Sequence, residues 1–337
     1  MNSIRLYLSC KPENASNILR QTPEGKGIWN GHQFYINDGH EPSDTLVVFA
    51  NSSKIIRTTV PKERRIFIAG EPPEMKFYSD RFLAQFGTII SSHESINHPN
   101  ACLKQQGYPW FSGIRFEGNK KQVVTRIYDD YKNEAPIEKT KVLSVVCSNK
   151  SSKPGHKKRF EFVTKLKEAL GDEVDLYGTG QNPIANKSDA IRPYQYHIAI
   201  ENSSAPHYWS EKLADCYLDE AYPFYAGCPE IGEYFPEDAF TLINLDNIEG
   251  TIKKIRQAIK EDRHLQMLSS IRESKRRVLE EYNMFNVIVQ HIEQLEATVP
   301  VATKTKHKIY PRKWFHKGLR TRLQLIISDF RSQRSRC

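Results

Sequence analysis

YHIAIENSSAPHYWSEKLADCYLDEAYPFYA, from Tyr196 to Ala226, decides the fold. It opens on an apolar run, Tyr196 to Ile200, bounded by polar residues and long enough for a buried strand. The polar loop Glu201-Asn202-Ser203-Ser204 follows, and Ala205-Pro206 blocks early helix entry. A helix is predicted from Ser210, a good N-cap, with Leu213, Cys216 and Tyr217 on one face. A second apolar run, Tyr222 to Ala226, ends at Gly227. Strand, loop, helix, strand is the unit with which parallel sheets hold phosphates. Ligands sit beyond the strand's carboxyl end, where the helix's first N–H groups and its dipole face an anion. Four polar side chains converge on that seat: Asn202, Tyr208, Glu211 and Lys212. The dipole disfavours Lys212 in the first turn by roughly a few tenths of a kcal/mol, a cost that an arriving di-anion would remove. Glu211 can accept hydrogen bonds from the vicinal hydroxyls of a ribose. A solvated helix start carrying an ordinary Glu–Lys pair explains the same local spacing.

At 337 residues the chain has room for about two domains. Hydrophobic content of 39% with 26% charged residues is that of a globular protein with a real core. No apolar run approaches the ~20 residues of a membrane span, and residues 1–9 read as a strand rather than a signal peptide. A bacterial-type cytoplasm is the simplest compartment. The six cysteines are scattered, with no C-x-x-C or Cys/His cluster to hold a metal. Charge is uneven. From Lys304 to the end there are eleven Lys or Arg and one Asp, giving +10, so with +9 overall residues 1–303 carry −1. A near-neutral body argues against a nucleic-acid surface.

The first half alternates short strands with helix-sized segments, which predicts a parallel α/β sheet. Its strands are Ile4 to Leu8, Gln33 to Ile36, Thr45 to Phe49, Arg65 to Ile68 and Thr88 to Ser91, with a helix at Tyr78 to Gln85. Glu71 follows a buried strand, and Pro72-Pro73 stiffen what comes next, a setting in which a carboxylate is held in one place. A plain strand-ending turn explains the same residues. The stretch His98 to Phe116 reads as loop whose aromatics cover the sheet. Lys132 to Thr140, polar and proline-bearing, is the expected linker.

The second half restarts with the strand Val142 to Cys147. Ser148-Asn149 then leads to Lys157-Lys158-Arg159 and a helix buried along Phe162, Leu166 and Leu170. Val174 to Tyr177 is a strand entering the glycine turn at Gly178. Amphipathic helices are predicted at 248–259, 265–271 and 287–295. In the tail, Phe315, Leu319, Leu323, Ile326 and Phe330 share one helical face amid basic residues. Such a helix lies well on an anionic bilayer; docking on the protein body is the alternative.

Ile200-Glu201-Asn202-Ser203, Tyr208-Trp209-Ser210-Glu211-Lys212 and Tyr222-Pro223-Phe224-Tyr225-Ala226-Gly227 closely resemble the donor-binding signature of the α1,3/4-fucosyltransferases, glycosyltransferase family 10. Glu233-Tyr234-Phe235-Pro236 and Asn244-Leu245-Asp246 continue the likeness, which spans roughly a hundred residues. Ser210 stands where the family has Thr, and Ile200 where it has an aromatic. The resemblance implies an α/β, GT-B-like fold with two Rossmann-type domains facing a cleft. The expected divisions are 1–138 for the acceptor, 139–285 for the nucleotide sugar, 286–303 as a terminal core helix, and 304–337 as a membrane-associating tail. It implies an inverting transfer of L-fucose from GDP-fucose to a hydroxyl of a GlcNAc-containing glycan, α1,3 or α1,4, on bacterial surface polysaccharide or lipopolysaccharide.

On this reading Glu71 is the base, with Glu74 as second candidate. Arg159, Asn202, Tyr208, Glu211 and Lys212 hold the donor, with Ser148, Asn149, Tyr177 and Gly178 beside them. No cofactor is required, a divalent ion (Mn or Mg) being an optional stimulant. Expected partners are GDP-fucose, the glycan and the inner face of the cell membrane, not nucleic acid. Two rivals stay open: the same scaffold with another nucleotide sugar, and a non-enzymatic membrane-binding protein whose tail is the function.

Overall fold

The computed structural model describes residues 2–40, 42–149, 153–178, 180, 182–296, 305–316, 318, 322–323 and 325–326. The chain forms two compact units. The first gathers Met1–Ile18, Lys26–Gln106 and Val287–Cys337; the second gathers Leu19–Gly25 and Gly107–Asn286.

In the first unit seven strands run in the order Ile28–Trp29, His32–Ile36, Asn2–Leu8, Thr45–Phe49, Arg65–Ile68, Thr88–Ser91, Ala101–Leu103. All neighbours are parallel except the first pair. The central strands TLVVF, RIFI and TIIS are buried along their whole length, as strands covered on both faces must be, and β-branched and aromatic residues fill them. Phe67 anchors the core, with the rings of Tyr78, Phe82 and Phe86 all within 5.3 Å of it. The helix expected over Tyr78 to Gln85 is a single turn, Asp80–Leu83.

The second unit holds a five-stranded, all-parallel sheet ordered Asp175–Tyr177, Lys141–Val146, Tyr194–Ile200, Tyr222–Ala226, Thr241–Leu242. Tyr196 pairs with Tyr222 and Ile198 with Phe224, so the stretch Tyr196 to Ala226 is the middle of this sheet. Helices Pro154–Leu170, Glu211–Leu218, Ile248–Lys260 and Leu268–Glu280 accompany it.

The units change at Gln106/Gly107, not at the expected linker. The reason is burial. Trp110 and Tyr131 are almost wholly buried and meet edge to face, and the N–H groups of Phe111 and Ser112 donate to Asp215 Oδ1 at 3.1 and 3.0 Å. The stretch His98 to Phe116, read as loop, is thus divided: strand Ala101–Leu103 closes the first unit's sheet, and from Gly107 the chain belongs to the second unit, where strand Ile114–Glu117 pairs with Lys121–Val124. Helix Met284–Glu296 replaces the predicted 287–295, and from Val287 the chain clusters with the first unit.

The tail departs from expectation at its start. His307–Ile309 is a strand antiparallel to Ile56–Thr58, Ile309 joins the first unit's core, and Phe315 packs on Phe82 at 6.1 Å between ring centres. Lys304, Leu319, Arg320, Ile327, Phe330 and Arg331 lie outside the described residues. Leu323 and Ile326 are exposed and Leu325 is buried. No helix among the described residues is long and apolar enough to cross a membrane.

Candidate functional site

Strand Tyr194–Ile200 delivers Glu201 to its carboxyl end, where the Glu201 N–H still bonds Ala226 O at 2.8 Å. The side chain then turns inward and is fully shielded from solvent. Its Oε1 accepts from the Ser210 N–H at 2.8 Å and the Ser210 hydroxyl at 2.9 Å, while Oε2 accepts from Lys212 Nζ at 3.0 Å. Ser210 in turn caps the helix, its Oγ accepting from the Lys212 N–H at 3.4 Å. A buried carboxylate thus ties the strand end to the helix start.

Lys212 Nζ faces three oxygens: Glu201 Oε2, Ser210 Oγ at 2.9 Å and Glu211 Oε1 at 3.2 Å. Burial would lower its pKa, yet Glu201 and then Glu211 hold it raised. The expectation was that an arriving di-anion would remove the cost of a lysine in the first turn. Glu201 already does so. Glu211 is held near 2: burial acts to raise it, but Lys212 and Lys187 outweigh that. Lys187 Nζ donates to Glu211 O at 3.3 Å and to Asp215 Oδ2 at 2.8 Å, fixing the first turn from its other side.

Arg159 projects from the second turn of helix Pro154–Leu170. It is 8% exposed, and its NH1 donates to Asn202 Oδ1 at 2.7 Å, while its Nε has no hydrogen-bond partner among the described residues. The guanidinium lies close enough to Lys212 for the two cations to oppose one another. Gly155 lets the helix start come this near, since a Cβ there would stand 2.0 Å from Asn202 O. Four of the residues singled out in sequence, Arg159, Asn202, Glu211 and Lys212, therefore share one place.

The others are placed differently. Cys147 and Asn149, on either side of Ser148 in the chain, meet the glycine turn at the adjacent strand ends: a Cβ on Gly178 would lie 2.0 Å from Cys147 O, and one on Gly180 2.6 Å from Asn149 Nδ2. Gly178 has φ 128° and Gly180 φ 86°, so both are glycine positions. Tyr177 spends its hydroxyl on Tyr194 at 2.7 Å, and Tyr194 in turn donates to Asp175 at 2.5 Å. Tyr208 is buried, its ring edge to face with Tyr108 at 5.7 Å.

In the first unit Glu71 lies three residues past strand Arg65–Ile68, after Gly70, where a Cβ would lie 2.6 Å from that of Ala50. The Glu71 carbonyl accepts from His93 Nε2 at 2.7 Å. Its carboxylate is 37% exposed and 3.6 Å from Lys76 Nζ. Glu74 is exposed. Sequence reasoning passed over Glu201 and Lys187. Glu201 directly follows a buried strand, a place it shares with many loop residues, and Lys187 offered no signal.

Residues 136–274 match the family described as glycosyltransferase family 10 (fucosyltransferase), C-terminal part. No curated protein sequence matches the chain. Among solved structures it is similar to an α1,3-fucosyltransferase with GDP-fucose, at 17% identity and a TM-score of 0.50, covering 90% of this chain and 93% of that one. A second, with GDP, gives 16% identity, a TM-score of 0.53 and coverage of 89% and 91%. At these identities the likeness is one of fold, the GT-B pairing of two Rossmann-type sheets.

Proposed function

We propose, from the premise that the chain belongs to glycosyltransferase family 10 and is a glycosyltransferase, that it moves L-fucose from GDP-fucose to a hydroxyl of a GlcNAc-containing glycan with inversion. One observation carries this reading. Within the residues matched to that family, Arg159, Asn202, Glu211 and Lys212 meet at the strand end and helix start where an anion is favoured.

The leaving diphosphate gains negative charge as the sugar bond breaks. Arg159, with a planar fork suited to phosphate oxygens, and Lys212 stabilise it there, which acts on the transition state more than on the ground state. Glu211, kept ionised by Lys212 and Lys187, accepts the ribose hydroxyls. Ser148, Asn149 and Gly178 present backbone and small side chains to the nucleotide, and Tyr208 and Tyr177 support the pocket's walls. Glu71 removes the acceptor hydroxyl's proton as that oxygen attacks the anomeric carbon. Two protein cations carry the charge, so no metal is required; Mn or Mg is at most a stimulant. The acceptor is bacterial surface polysaccharide or lipopolysaccharide, reached from the cytoplasmic face of the membrane by the basic residues after His316.

Replacing Glu71 by Gln tests the scheme. GDP should bind as in the wild type by calorimetry, and fucosyl transfer should fall by roughly two to four powers of ten, the size of a general-base effect. Turnover near wild type would move the base elsewhere, Glu74 first. Preference for UDP over GDP would replace the donor.

A further inference from the structure

We infer that the segment from Lys306 to His316 is a clasp on the first unit that holds the Glu71 loop in its working position, with Arg312 as the positioning residue. The functional half of this rests on Glu71 being the base.

The segment is bound into the unit along its length. Strand His307–Ile309 pairs with Ile56–Thr58. Gln85 then brackets Tyr310, its Oε1 accepting from the Tyr310 N–H at 2.7 Å and its Nε2 donating to Tyr310 O at 3.0 Å. Ile309 is buried in the core and Phe315 packs against it. This much is anchorage, and it delivers Arg312 to one place.

Arg312 joins the loops that follow two neighbouring parallel strands. Its N–H donates to Asn51 Oδ1 at 3.3 Å, two residues past strand Thr45–Phe49, and its NH1 donates to Phe77 O at 3.4 Å, at the far limb of the Glu71 loop. The near limb is already fixed by Gly70 against Ala50 and by His93 on the Glu71 carbonyl. Between the limbs Met75 and Lys76 close a turn on Pro72 O. His316 adds a ring contact on Phe77 at 6.0 Å. Both Glu71 and Arg312 act electrostatically on the buried Tyr78 phenol, so carboxylate and guanidinium lie near one ring. Tyr78, buried in the core beside Phe67, fixes where the loop ends; the clasp adds a bond to Phe77 O just before it, and a base misplaced by about 1 Å can lose on the order of a hundredfold in rate.

The test uses full-length protein carrying Arg312→Met or Arg312→Lys. With Met, exchange of the Met75 and Lys76 amides should quicken, and kcat should fall about tenfold or more while the Kd for GDP stays that of the wild type. Lys, which can still reach Phe77 O, should restore much of both. A chain ended after His316 should keep its kcat on a soluble acceptor. Unchanged amide exchange in Arg312→Met would overturn the clasp, and faster exchange with unchanged kcat would overturn its link to catalysis. Failure of the base assignment shows separately, as an active Glu71→Gln enzyme, and leaves the exchange result standing.

Discussion

The Nζ of Lys212 sits 3.0 Å from Oε2 of Glu201, a carboxylate with no solvent exposure, so the cation proposed to meet a diphosphate is already half of a buried ion pair. Removing one partner strands the other charge, which typically costs about 3–5 kcal/mol, whereas removing both costs far less. Lys212→Met should therefore destabilise more than Lys212→Met combined with Glu201→Gln, as read from denaturant midpoints. Additive losses would mean that the two residues do not depend on each other.

Glu211 makes a prediction in acid. Its carboxyl is held near 2 in the folded chain and titrates near 4.3 when unfolded. The folded pKa is the lower one, so its stabilisation is complete above about pH 4.5 and is lost as pH falls towards 2. Glu211→Gln should flatten the stability curve in that window by about one proton. An unaltered slope would show that Lys212 and Lys187 do not hold the charge.

His197 acts at higher pH. Burial, with Lys187 nearby, pushes its imidazole down to about 3, and the Ser144 hydroxyl, which donates to Ala190 O, accepts from its Nδ1–H at 2.7 Å. The unfolded imidazole gains its proton near 6.5, so stability falls as pH drops through that value, by about 1.4 kcal/mol per unit. Between pH 6.5 and 4.5 the loss from this residue should be about 2–3 kcal/mol. His197→Asn should be less pH-sensitive there by one proton, measured by denaturant unfolding across the range.

Gly155→Ala puts a methyl group 2.0 Å from the Asn202 carbonyl. Backbone cannot yield as a flexible side chain can, so the helix start must retreat and carry Arg159 from Asn202. Calorimetry should show GDP binding weakened at least tenfold with the fold intact by circular dichroism. Wild-type affinity would separate Arg159 from the donor.

The strands could be read in sequence because burial on both faces leaves a continuous apolar run, as in TLVVF and RIFI. Asn202, Glu211 and Lys212 could be named because each follows a strand or opens a helix; Arg159, in the second turn of its helix, could be named only through the family resemblance. Glu201 could not, since a carboxylate after a strand looks like any loop residue until the nine-residue return to Ser210 is seen. Tyr208 reads as a ligand group when only its polarity is known; its ring contact comes from Tyr108, a hundred residues earlier. The proline-bearing stretch 132–140 has a linker's composition, but composition does not reveal that Trp110 and Tyr131 bury against each other upstream of it.

The pairing of His307–Ile309 with Ile56–Thr58 has a consequence for synthesis. The first unit's strand partners are separated by about 250 residues, and at ~5–20 residues per second a ribosome needs roughly 12–50 s to supply the second after the first. Through that interval the edge at Ile56–Thr58 and the pocket awaiting Ile309 stand open on the nascent chain. The second unit, complete once Asn286 emerges, is free to fold earlier.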